Sequence, residues 1–170
     1  MTINLNQAEE IARRLLAVEA RVLPAETREF DVGWVFYYQS AQYLDTGDFQ
    51  HLLAGNAPIF VARSDGRAFH VSYHQPLEAS MTAYRACGNP NAKQIPEVRV
   101  FGYRPGAQSV AAIQAIRSHS TLGLAAAKAI VEASLEERSS VVATASVEHA
   151  SKLVAELDAA SFRSEIRYES

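Results

Sequence analysis

This sequence has a single cysteine, no long apolar run and no surplus of positive charge. Cys87 is the only cysteine, which excludes an internal disulfide and a cysteine-based zinc site. No stretch approaches the roughly 20 apolar residues that a membrane-spanning helix needs. The first residues show neither the basic start nor the apolar run of a secretion signal. These absences predict a cytoplasmic protein with no membrane partner.

The charge balance argues against a nucleic-acid partner. The 170 residues include 16 basic and 19 acidic side chains, a formal net charge of −3. Such a chain has no overall positive field to hold phosphates. The acidity lies in the first half: residues 1–90 carry 7 basic and 10 acidic residues, whereas residues 98–170 carry 8 of each. We therefore expect no direct contact with nucleic acid.

The chain length fits one domain or two small ones. Gly88, Asn89, Pro90, Asn91 and Pro96 interrupt both the helical and the strand periodicities. This segment predicts a linker at 88–96, between a domain at 1–87 and a domain at 97–170.

The first half predicts an α+β domain with a helix packed on a small antiparallel sheet. Apolar residues at helical spacing favour a helix of about four turns that starts at Asn6, with Glu9 completing a capping box, and ends before Pro24. Alternation over Glu29 to Ser40 predicts one strand, with Trp34, Phe36 and Tyr38 facing the helix.

Shorter signals complete the first half. The segment from Tyr43 to Asp48 is predicted to be a turn, and Asp65-Gly66 predicts a hairpin. Pro76 suits the first position of a helix whose residues Leu77, Met81 and Tyr84 share a face. The second half predicts the order β-α-α-β-α-β, with a short strand at Val98 to Phe101, in a second compact domain.

No group of residues has the pattern of a catalytic, metal or cofactor site. His70 and His74 on a strand would stand about 13 Å apart, too far for one zinc ion. Asp45 and Asp48 flank Gly47 in the predicted turn, a position that aspartate favours for backbone reasons, although turn formation and partner contact can coexist. We expect no enzymatic activity and no cofactor.

Four blocks in the first half resemble one family. They are Gly33-Trp34-Val35-Phe36-Tyr37-Tyr38, Tyr43-Leu44-Asp45-Thr46-Gly47-Asp48, Leu53-Ala54-Gly55-Asn56-Ala57-Pro58-Ile59 and Asp65-Gly66. In this order, over residues 1–87, they resemble the YrhB-like immunity proteins, the thirty-fifth immunity family of bacterial polymorphic toxin systems. The resemblance implies a domain that binds and neutralises a toxin. A chaperone-like role, also attached to that family, is the alternative.

Residues 97–168 are similar to the C-terminal domain of the ribosomal stalk protein L7/L12. The matching blocks are Gly102-Tyr103-Arg104-Pro105-Gly106-Ala107, Ala115-Ile116-Arg117, Leu122-Gly123-Leu124 and Ile130-Val131-Glu132. The stalk domain recruits translational GTPases through a basic helical face, which Ile113, Arg117 and Lys128 match here. Ser109, Gln114 and Ala125 stand where lysines usually sit, so the fold transfers better than the GTPase contact.

These observations predict a protein that binds one cognate toxin molecule and occludes its active site. Acidic residues and tyrosines of the first half would meet a basic toxin cleft. The predicted contact residues there are Asp31, Tyr37, Tyr43, Asp45, Asp48 and His51. Ile113, Arg117 and Lys128 are the candidates in the second half, for a toxin that acts on translation.

Overall fold

Both halves of the chain contain helices and antiparallel strands, so the predicted α+β class is confirmed. The computed structural model describes residues 2–169 and divides the chain into two units, residues 1–91 and 92–170. The first unit contains α1 (Leu5–Leu15), β1 (Ala20–Val22), β2 (Arg28–Phe30), β3 (Gly33–Phe36), β4 (Tyr38–Ser40), α2 (Ala41–Thr46), β5 (Ile59–Ala62), β6 (Ala68–His70) and α3 (Leu77–Cys87). Short 3-10 helices lie at Pro24–Glu26 and Phe49–His51.

A four-stranded antiparallel sheet, in the order β2-β3-β5-β6, is the centre of the first unit. Successive side chains of a strand point to opposite faces, so each central strand supplies two cores. Trp34 and Phe36 of β3 pack with Ala8 and Ala12 of α1, as predicted. The opposite face is also covered, because residues of β3 and β5 pack against α3. That second core contains Val35, Phe60, Ala62, Met81 and Tyr84.

The first helix begins earlier and ends sooner than the periodicity predicts. Its cap is Asn4, whose side chain accepts a hydrogen bond from the Gln7 amide while the Gln7 side chain accepts one from the Asn4 amide, each at 3.0 Å. The predicted Asn6–Glu9 capping box is therefore wrong. The helix ends at Leu15, and Ala20–Val22 forms a strand paired with β4. Pairing in the folded chain outweighs the weak helical preference of this segment.

The predicted strand from Glu29 to Ser40 is wrong, because it is three strands. Phe30 pairs with Gly33, so the chain reverses at Asp31 and Val32. The strand β4 then leaves the main sheet to pair with β1. Gly33 has φ +156°, and a Cβ there would lie 2.2 Å from the Val61 carbonyl oxygen. Only glycine therefore fits at this position, where β3 pairs with β5.

The hairpin at Asp65-Gly66 is confirmed, with β5 and β6 antiparallel and Gly66 at φ +74°. The shared face of Leu77, Met81 and Tyr84 is also confirmed, since all three pack in the second core. Pro76 precedes the helix as its cap residue, one position before the predicted N1.

The second unit has the predicted element order β-α-α-β-α-β. It comprises β7 (Gln94–Tyr103), α4 (Ser109–His119), α5 (Leu124–Leu135), β8 (Ser140–Ala143), α6 (Val147–Ala159) and β9 (Phe162–Tyr168). The long strand β7 is central in an antiparallel sheet of order β8-β7-β9. It begins inside the segment predicted as a linker and runs past Phe101. Val98, Val100, Ile116, Leu153 and Phe162 are fully buried in one core.

Candidate protein-binding surface

The stretch from Ala41 to Leu53, here called the 41–53 segment, follows β4 and precedes β5 in the chain. It does not have the predicted turn structure. Residues 41–46 are the helix α2, which ends at Gly47 with φ +71°. Asp48 then caps the 3-10 helix Phe49–His51, its Oδ1 accepting a hydrogen bond from the Gln50 amide at 2.9 Å. Glycine past a helix end and aspartate at a cap are both helix-boundary signals.

Side chains of β4 hold both ends of the 41–53 segment. The Ser40 hydroxyl accepts a hydrogen bond from the Tyr43 amide at 3.0 Å and donates one to the His51 carbonyl at 2.5 Å. The Gln39 side chain accepts from the Leu53 amide at 2.7 Å and donates to the Leu53 carbonyl at 3.1 Å. These four bonds fix the backbone of the segment without burying it in the core.

One ion pair joins the segment to the β1–β4 ribbon. Arg21 Nη1 and Nη2 donate to the two carboxylate oxygens of Asp45 at 2.8 and 3.0 Å. The two planar groups face each other in a fork, which adds geometric restraint to the attraction. Both side chains are more than half exposed, so the pair orients α2 and adds little stability.

The segment exposes a group of apolar side chains. Phe49 is 76% exposed, Leu44 is 42% exposed, and Leu52 and Leu53 are each 38% exposed. The Tyr43 ring lies beside Phe49, with 5.8 Å between centroids. We call these five residues the Phe49 patch. Several exposed apolar side chains within one short segment are a feature of protein-binding surfaces.

The comparisons with known proteins concern the unit that carries this patch. Residues 4–86 match the family model described as Immunity protein 35. The "Uncharacterized protein YrhB" of Escherichia coli (strain K12) is 34% identical over 55 residues, which are 32% of this chain and 58% of that protein. The chain thus spans less than two thirds of the length of this curated relative. No solved structure matches significantly.

The matched residues 4–86 contain both cores of the first unit and the whole 41–53 segment. Four of the six predicted contact residues of this region lie together in the segment: Tyr43, Asp45, Asp48 and His51. Tyr43 is half-buried, Asp45 is paired with Arg21, and Asp48 Oδ2 lies 3.9 Å from His51 Nε2.

The other two predicted contact residues lie elsewhere in the matched residues 4–86. Asp31 occupies the turn between β2 and β3 and is bonded to Arg85 of α3. The hydrogen bond from Arg85 holds the pKa of the Asp31 carboxyl below its usual value. Tyr37 is half-buried and packs against the core under α3, so only part of its side chain is open to a partner.

The three predicted residues of the second unit lie on α4 and α5. Ile113 packs partly against the core. Arg117 is exposed and makes no ion pair with any residue of the described range 2–169. Lys128 pairs loosely with Glu132 at 3.6 Å. Of the two cations among these candidates, Arg117 is therefore the one without an ion pair to residues 2–169.

Sequence reasoning missed Leu44, Phe49, Leu52 and Leu53 as surface residues. A signal was present: Leu44 precedes Gly47-Asp48 and the other three apolar residues follow it, in a stretch too short to form a strand or helix of the core. Between residues 2 and 169, no group of three or more histidine, cysteine, aspartate or glutamate side chains is arranged to hold a metal ion. None of the helices in that range is long and apolar enough to cross a membrane.

Proposed function

We propose that this chain is an immunity protein, which binds a cognate bacterial toxin and neutralises it. The observation that carries the proposal is the match of residues 4–86 to Immunity protein 35, because this range spans both cores of the first unit. The family description supplies the class of function, and the structure supplies a rigid surface suited to a protein partner.

The mechanism we infer is stoichiometric occlusion of the toxin. The backbone of the 41–53 segment is fixed by Ser40, Gln39 and the Arg21–Asp45 pair before any partner arrives. A surface that is already ordered loses less conformational entropy on binding, which favours a tight complex. One chain bound over the toxin's active site, or over its access route, would suffice for protection.

Co-expression with the toxin encoded beside its gene tests this proposal. Cells that make both proteins should survive, cells that make the toxin alone should die, and a non-cognate toxin should still kill. The purified pair should elute as a one-to-one complex with a mass equal to the sum of the two chains. Death of the co-expressing cells would contradict the proposal, and survival without a complex would favour the chaperone-like alternative.

We also propose that the cognate toxin acts on translation, with the second unit contacting a translational GTPase. Support comes from the β-α-α-β-α-β order and from Arg117, an exposed cation on α4 that makes no ion pair with residues 2–169. Titration calorimetry of the full chain with an elongation factor should give a weak, salt-sensitive signal that Arg117→Ala removes. Absence of heat at high micromolar concentrations would reject this contact and leave the immunity function intact.

A further inference from the structure

Several acidic side chains of the first unit are already paired and are not free for a basic partner. Three of the carboxylates near the start of the sheet and the 41–53 segment are each paired with an arginine of the same unit. The pairs are Glu29–Arg63, Asp31–Arg85 and Asp45–Arg21. A partner would have to break these pairs to use the carboxylates, so attraction between charges does not by itself define the contact.

Phe49 offers the contact that these paired carboxylates lack. Its ring is 76% exposed on a 3-10 helix whose flanking backbone is fixed by Ser40 and Gln39. Aromatic side chains on pre-ordered backbone make strong interface anchors, because they bury a large apolar area at a small entropic cost. Leu44 and Leu52 of the same segment are also exposed, at 42% and 38%.

Two carboxylates, one beside the start of the 41–53 segment and one within it, have no lysine or arginine partner among the described residues 2–169. Glu19 is exposed and makes no ion pair within the described residues 2–169, and its carbonyl accepts a hydrogen bond from the Ala41 amide at 2.6 Å, the first residue of α2. Asp48 forms no ion pair with a lysine or arginine among residues 2–169: its Oδ1 accepts a hydrogen bond from the Gln50 amide, and its Oδ2 lies 3.9 Å from His51 Nε2. A partner that covers this surface therefore gains from positive charge at the edge of the contact and from an apolar centre.

We propose that the 41–53 segment is the toxin-binding surface, with Phe49 inserted into an apolar pocket whose rim carries lysine or arginine side chains. This inference rests on the proposed immunity function, since the toxin is its occupant. Asp48 and Glu19 face the cationic rim, while the Arg21–Asp45 pair stays internal and keeps α2 in place. The Phe49 ring anchors the complex, and the charges of the rim guide the approach and the orientation of the toxin.

Phe49→Ala and Phe49→Asp in the full chain, titrated against the toxin encoded beside its gene, test the proposal. We expect Phe49→Ala to raise the dissociation constant about 30-fold or more, as for an interface anchor. Phe49→Asp should raise it further. Val110→Asp is the matched control, because Val110 is 71% exposed on α4 and receives the same new charge. Circular dichroism and the unfolding midpoint should match wild type in all three variants.

The charge component has its own measurement. Glu19→Gln with Asp48→Asn should slow association at low salt and reduce its dependence on salt concentration, since rim charges act mainly on the association rate. An unchanged salt dependence would remove the cationic rim from the proposal.

The outcomes separate this inference from the immunity function. If wild type binds the toxin and both Phe49 variants bind equally well, the inference is wrong and the immunity function stands. If Val110→Asp weakens binding instead, the second unit makes the contact and the inference is wrong. If wild type forms a dimer alone and Phe49→Asp is monomeric, a second copy of the chain covers the patch. If wild type does not bind the toxin, both proposals fail.

Discussion

Arg85, in the last turn of α3, forks onto Asp31 in the turn between β2 and β3. Its Nη2 donates to Asp31 Oδ1 at 2.5 Å, and its Nε lies 3.1 Å from Oδ2. The pair ties the end of the helix to the edge strand of the sheet that the helix covers. Asp31 is therefore part of the scaffold of the first unit, although the sequence pattern presents it as a free acidic residue.

This pair predicts a dependence of stability on pH. The Arg85 hydrogen bond lowers the Asp31 pKa in the folded chain from the usual 3.8. A lowered pKa means that the ionised carboxylate stabilises the fold above its unfolded pKa, and that this contribution is lost as the pH falls through the folded value. Urea denaturation at pH 7 and pH 3 should show a larger loss of unfolding free energy for wild type than for Asp31→Asn.

Arg85→Gln is the matched control for this measurement, because it removes the partner and leaves the carboxylate. It should reduce the same part of the pH dependence, and the double variant should behave like either single variant. Equal pH dependence in wild type and Asp31→Asn would show that the ion pair is too exposed to matter.

Gly33 and Gly47 should respond to alanine very differently. A Cβ at Gly33 would meet the Val61 carbonyl at 2.2 Å and the Phe60 ring at 2.8 Å, so Gly33→Ala should cost about 3 kcal/mol or more, or prevent folding. A Cβ at Gly47 would meet nothing within 4 Å, so Gly47→Ala should cost about 1 kcal/mol from its positive φ alone. Chemical denaturation of both variants checks this order, and similar losses would contradict it.

The Arg21–Asp45 fork predicts rescue by charge exchange. Arg21→Asp and Asp45→Arg each place like charges together near the end of α2, whereas the double variant restores an ion pair of reversed polarity. Each single change should cost about 1 kcal/mol or less, because both side chains are exposed. A double-mutant cycle by urea denaturation should show a favourable coupling energy, and strict additivity would show that the fork has no energetic role.

Sequence reasoning succeeded where a regular period or a strong turn signal covers a whole element. The six elements of the second unit and the Asp65-Gly66 hairpin are of this kind. It failed between Arg28 and Ser40, because a two-residue turn leaves the alternation of apolar and other residues intact. Phe30 thus packs under α3 while Trp34 packs under α1, although the pattern places both on one strand.

Only part of the candidate surface could be predicted from the sequence, for a related reason. Tyr43, Asp45 and Asp48 stand in a block that resembles a family motif, which directs attention to the correct segment. Whether a carboxylate is free depends on partners far away in sequence: Asp31 pairs with a residue 54 positions later. Helix α2 has only six residues and the 3-10 helix that carries Phe49 has only three, which are too few for a helical period to emerge. The exposure of Phe49 therefore became apparent only in the folded chain.

The first unit should fold without the second. Both faces of its central sheet are covered by helices of the same unit, α1 on one side and α3 on the other, and the family match lies entirely within it. A chain of residues 1–91 should therefore unfold cooperatively on heating, followed by circular dichroism, and should protect cells from the toxin if the 41–53 segment makes the main contact. Residues 92–170 alone are the control and should not protect. A folded but non-protecting 1–91 chain would mean that the second unit supplies an essential contact, and a 1–91 chain without a cooperative transition would mean that the two cores depend on the rest of the protein.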